Sequence, residues 1–126
     1  EYVEKLDLNL LIQPCEGFTQ DPDQHIEVIK KIGGFRIGAL PTFSAAAATG
    51  DGLEALRKLA PYSGGIVADF PAGKGKKRID PVEGLLAVCE VGYSNSLALS
   101  YTGVRNSMKA IAKVADAMNS ALEGLK

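Results

Sequence analysis

The chain has 126 residues and a mass of 13.3 kDa, the size of one domain, long enough to bury a core and too short to divide comfortably into two. It is 46% hydrophobic and 23% charged, and its apolar stretches fall far short of the roughly 20 residues a membrane helix needs. A formal net charge of -1 and a pI near 5.8 exclude a whole-molecule attraction to nucleic acid or anionic lipid, so such binding would need a local patch.

The chain opens on Glu1 with no charged segment and apolar run before the first pattern, which leaves a longer or processed N-terminus open. Leu6, Leu8, Leu10 and Ile12 alternate with Asp7 and Asn9, predicting a half-buried strand over residues 6–12. Cys15 and Glu16 follow at its end, where α/β enzymes often place reactive groups. A thiol there becomes nucleophilic only beside a base or a cation, and none is identified by the sequence. Asp21-Pro22-Asp23-Gln24 reads as a helix start, with Asp21 as cap and Pro22 at the first turn. Ile26, Ile29 and Ile32 continue that helix to Gly33-Gly34. His25, the single histidine, falls in its first turn and is expected at the surface or partly buried, with no partner for acid–base work identified nearby in sequence.

Residues 35–40 read as a short strand and residues 45–50 as a connector. Asp51 and Glu54 form a capping box for a second short helix, whose stripe is Leu53, Leu56 and Leu59 and which Pro61 ends. Residues 66–70 are a strand. Residues 71–81 hold prolines, glycines and four cations, Lys74, Lys76, Lys77 and Arg78, as an exposed loop or hairpin tip would. This segment is not a phosphate-binding P-loop: Ala68 stands where its first glycine should, and Gly75 follows Lys74 in place of Ser or Thr. Four cations within five residues can nevertheless contact phosphates. Residues 82–93 are apolar on both faces around Leu85, Leu86, Ala87 and Val88, predicting a central strand. Val104, Met108, Ile111, Ala115, Met118, Leu122 and Leu125 recur at steps of four and three, a stripe along a helix of about six turns that is expected to cover the sheet.

These elements predict an α/β (α+β) domain over residues 1–126, with a mixed or antiparallel sheet, two short helices and a long C-terminal amphipathic helix on one face. Cys15 and Cys89 are expected as reduced, buried thiols. With His25 they lack the close paired spacing of a structural zinc site, and neither a metal nor a cofactor is expected. Asp69 with Lys74 is a candidate acid–base pair, though such pairs are more often surface contacts.

From Gly34 onward the order of elements resembles the tail-terminator or tail-completion proteins of Mu-like and other contractile-tailed phages. The resemblance runs through Gly33-Gly34, Arg36-Ile37-Gly38-Ala39-Leu40-Pro41, the leucine helix at 53–59 and Gly65-Ile66-Val67-Ala68-Asp69-Phe70. It continues with the Gly/Lys tip, a strand at Leu85-Leu86-Ala87-Val88, a turn at Ser94-Asn95-Ser96 and a closing helix over 103–124. It implies a non-enzymatic structural protein that forms a homo-oligomeric ring, usually of six copies. Such a ring contacts tail-tube or connector proteins, in the virion or in the cytoplasm of the producing cell. Under this reading the partner-binding surfaces are the first strand, with Leu6, Leu8 and Leu10, as an edge that adds to a neighbour's sheet, and the loop of Lys74, Lys76, Lys77 and Arg78. The residues themselves leave two alternatives: a small oligomeric α/β enzyme with Cys15, Glu16, Asp69 and Lys74 gathered near strand ends, and a nucleic-acid-binding module using the basic loop. No membrane partner is expected.

Overall fold

A computed structural model describes residues 2–71 and 78–126. The chain opens with a helical turn, α1 (Tyr2–Lys5), and a three-residue strand, β1 (Leu10–Ile12). Helix α2 (Pro22–Ile32) leads to β2 (Ile37–Ala39), and helices α3 (Phe43–Ala47) and α4 (Gly52–Leu59) lead to β3 (Gly65–Phe70). Helix α5 (Pro81–Glu90) precedes β4 (Ser96–Tyr101), and α6 (Ser107–Gly124) closes the chain.

The α/β class and the long last helix are as the sequence implies. The strand directions are not: β1 pairs with β2 and β3 with β4, both in parallel, where a mixed or antiparallel sheet was expected. Parallel bridges Ala39↔Ser63 and Thr42↔Val67 join the two pairs, with Gly64 N–H donating to Ala39 O (3.1 Å) and Val67 N–H to Pro41 O (2.9 Å). The strands therefore lie in the order β1-β2-β3-β4. The physical reason is the helix between each pair of strands, which carries the chain back to the starting end so that the next strand enters in the same direction.

Three expected elements differ. Residues 82–93, read as a strand, form α5, because Asp80 accepts from Val82 N–H (3.0 Å) and Glu83 N–H (3.2 Å) and Pro81 stands in the first turn. This helix is apolar over much of its surface because it lies between α4, α6 and β3, and a short apolar run does not separate such a helix from a buried strand. Residues 6–12 yield strand only at Leu10–Ile12. The 45–50 connector is partly α3, which Thr42 caps through Ala45 N–H. Asp21 and Asp51 cap α2 and α4 through Gln24 N–H and Glu54 N–H, as the sequence predicts.

All the major helices pack on one face of the sheet. Ile12, Ile37 and Ala39 meet Ile26 and Ile29 of α2 and Leu59 of α4. Ile66, Ala68, Leu97 and Leu99 meet Phe43 and Ala46 of α3, Ala55 and Leu56 of α4, and Val88 of α5. Strand alternation turns Leu11, Gly38, Leu40, Gly65, Val67, Asp69, Ser96, Ala98 and Ser100 to the opposite face, where no helix packs among the described residues and Ser96 and Ala98 are exposed. Leu11 lies low across this face. A Cβ on Gly64 would come within 2.5 Å of its Cδ2, so glycine lets the leucine approach the backbone.

Candidate functional site

Because the four strands run one way, their C-terminal ends share one edge, and the segments leaving them are brought together there. Ligands of open α/β sheets bind outside that edge. Gln13 to Glu16 leave β1, with Cys15 N–H held by Thr19 Oγ1 (3.0 Å). Pro41 and Thr42 leave β2. Thr102 leaves β4 and donates from both N–H (3.0 Å) and Oγ1 (3.3 Å) to Phe70 O, fixing the last turn of the β3–β4 pair.

Asp69 stands at the end of β3, half-buried on the helix-free face. Its Oδ1 accepts from Ser44 N–H at 2.9 Å, at the start of α3. Its Oδ2 has no protein partner among the described residues. Ser100 is in register with Asp69 on β4, so its hydroxyl shares that face beside the carboxylate. The result is a carboxylate with one oxygen fixed and one without a partner among the described residues, flanked by the hydroxyl-bearing residues Ser44 and Ser100. Asp69 was legible as a strand-end acid. Ser100 was passed over, although the alternation of Ser96, Ala98 and Ser100 with Leu97, Leu99 and Tyr101 carried a period of two.

The other sequence candidates are placed apart. Cys15 and Glu16 are exposed, and neither hydrogen bonds nor forms an ion pair with Asp69. The thiols of Cys15 and Cys89 are free; Cys15 is exposed rather than buried, and Cys89 is half-buried. Leu6, Leu8 and Leu10 lie along and before β1, at the far edge of the sheet, each about half exposed. Arg78 lies beyond the end of β3, lining with Phe70, Tyr101, Glu83 and Lys113 a groove of about 720 Å³ on the helix-bearing face. Lys74, Lys76 and Lys77 lie outside the described residues. The partner-binding candidates thus form two separate surfaces. No group of three or more His, Cys, Asp or Glu among the described residues could hold a metal, and no helix is long and apolar enough to cross a membrane.

His25 corrects the expectation of a surface or partly buried residue: it is fully buried. Its Nε2 lies 2.9 Å from Ile12 O, so Nε2 carries the proton and donates, tying α2 to the end of β1. Its Nδ1 is buried without a partner among the described residues. Desolvation pushes the imidazole below its ordinary value of 6.5, opposed in part by the bond to Ile12. The histidine holds the base of the Gln13–Glu16 segment and takes no place among the groups at the strand ends.

The features behind the phage-tail resemblance are mixed in the fold: the helix ending at Gly33-Gly34 and the strand at 65–70 stand, whereas Leu85–Val88 is helical and Ser96 begins a strand. No protein-family model matches the chain, and no curated protein is significantly similar to it.

Proposed function

We propose that the chain is an α/β enzyme subunit that binds a small anionic molecule at the C-terminal ends of its strands, with Asp69 as the acid–base group. The observation that carries this reading is the Asp69 carboxylate at the end of an inner strand, with Oδ1 held by Ser44 N–H and Oδ2 without a partner among the described residues, on the face that no described helix covers. A carboxylate so held is positioned for proton transfer to a bound hydroxyl or amine within hydrogen-bond reach. The connection leaving β3 carries Lys74, Lys76, Lys77 and Arg78 in its sequence, which suits a phosphate as the anionic group. Asp69 also has a structural use, since a carboxylate at the start of α3 satisfies a free N–H.

The test is amide-resolved NMR during titration with inorganic phosphate and then a sugar phosphate. The expected result is saturable shifts at residues 42–44, 69 and 100–102, lost when Lys74, Lys76, Lys77 and Arg78 are together changed to alanine. Asp69→Asn keeps the acceptor for Ser44 and removes the charge. It should fold normally and alter the sugar-phosphate response while leaving that of inorganic phosphate nearly unchanged. Shifts confined to other regions, or none at saturating probe, would refute the site.

A second reading is the ring-forming structural subunit, favoured by one observation: Leu6, Leu8 and Leu10 stand exposed beside an unpaired strand edge. A closed oligomer of about six copies, contacting tail or connector proteins, would replace the enzymatic reading.

A further inference from the structure

Among the described residues the sheet has a free edge on each side, at β1 and at β4, and one face that no helix covers. Parallel sheets are stable with both faces covered. Because all four strands point the same way in the order β1-β2-β3-β4, the two free edges match in direction. A second copy turned by half a revolution about an axis along the strands would lay its β1 parallel to β4 of the first, and its β4 parallel to the first β1. Eight is the number of strands at which a parallel sheet closes on an interior that side chains fill, with the helices outside. This chain supplies four strands with all the major helices on one face.

The side chains beside the two edges are complementary as well. Next to β4, an apolar groove of about 300 Å³ remains between Leu97 and Leu99 on the strand, Leu85 and Cys89 on α5, and Met118 and Leu122 on α6. The last helix therefore leaves part of the outer face of β4 uncovered. Next to β1, Leu8 and Leu10 are 53% and 48% exposed, and Leu10 points to the same helix-bearing face as Ile12. We propose that a second copy of the chain closes the sheet into an eight-stranded parallel barrel, with Leu8 and Leu10 of each copy seated in the groove between β4 and α6 of the other.

The area suffices. Strands spaced about 4.8 Å apart, with β3 and β4 six residues long and β1 and β2 three, present on the order of 300 Å² per copy at roughly 3.3 Å per residue, so the two faces together hide roughly 600 Å². The two leucine-in-groove junctions add to this, toward the roughly 1,200–2,000 Å² of a stable interface. Closure also bears on the proposed site without depending on it: Asp69 and Ser100 of both copies would then surround one mouth.

The experiment measures mass by sedimentation equilibrium from micromolar to submillimolar chain, in a Cys15→Ser background, with two variants and a cross-link. The expected mass is twice 13.3 kDa. Leu10→Asp and Leu8→Asp each replace a half-exposed side chain outside the core, so both should keep the far-ultraviolet spectrum and weaken dimerisation at least tenfold. Mixed Leu8→Cys and Leu122→Cys chains should form a disulfide-linked dimer that neither variant forms alone. A monomer at every concentration, a larger ring, or a dimer indifferent to both aspartates and lacking the 8–122 cross-link would each overturn the proposal. None of these outcomes depends on phosphate binding.

Discussion

At His25 a neutral imidazole is built into the end of a strand. The folded chain holds the group below 6.5 while the unfolded chain leaves it near that value, so below pH 6.5 the unfolded state binds a proton that the folded state refuses. The contribution is complete above pH 6.5 and is lost as the pH falls toward the folded-state value, at a slope of at most about 1.4 kcal/mol per pH unit. Thermal unfolding should therefore show a midpoint several degrees lower at pH 5.5 than at pH 7.5. His25→Gln can still donate to Ile12 O and carries no titration, so it should reduce that difference. An equal pH dependence in the variant would remove His25 as the cause. The sequence placed this residue in the right helical turn and gave no hint of its burial, because the groups that enclose it, at the end of β1 and beyond, are remote in the chain.

Among the elements, α5 shows how packing overrides a local pattern. Gly84 in its second turn faces α3 so closely that a Cβ would come within 2.4 Å of the Phe43 ring and 2.9 Å of Ile79 Cγ2. Helix propensity favours alanine over glycine by up to about 1 kcal/mol, but overpacking a closed core costs about 1–3 kcal/mol, and here the clash should dominate. Urea unfolding of Gly84→Ala should show a net loss of about 1–2 kcal/mol. Phe43→Leu combined with it should lose less than the two changes separately, since they share one space. A stabilised Gly84→Ala would mean that α5 can move away from α3 at no cost. The residues that fixed this helix, Asp80 and Pro81, were visible as cap and first-turn signals. They were outweighed by the apolar run Leu85-Leu86-Ala87-Val88, which in isolation suits either a buried strand or a helix packed on several sides. Where local chemistry stood alone, at Asp21, Asp51 and Pro22, the element starts were legible. Where an element's character depended on its neighbours, at Ser96–Tyr101 and along residues 6–12, they were not.

For the whole molecule, the central question is what covers the bare face. The stripe along α6 was expected to cover the sheet, yet only its middle does so: Met118 is buried and Ile111 and Ala115 are half-buried, while Val104, Met108 and Leu125 remain largely exposed. If a second copy completes the sheet, the unfolding midpoint should rise with chain concentration, because mass action adds stability only to a state that associates. A midpoint constant over a hundredfold range would speak against association in the folded state. Asp69 is legible as a strand-end acid, but its setting is not, since the parallel pairing of β3 with β4 depends on α5, whose apolar run suits a strand equally well.

The strand order has a further consequence for how the chain comes together. Among the described residues each strand lies beside its neighbours in sequence and no others, so no pairing must await a distant part of the sequence. Each new helix and strand closes only a modest loop onto what already exists, and the entropy lost at each closure is correspondingly small. Parallel pairing is intrinsically slow because a crossover must form between the partners; this order keeps the wait at each step to one crossover.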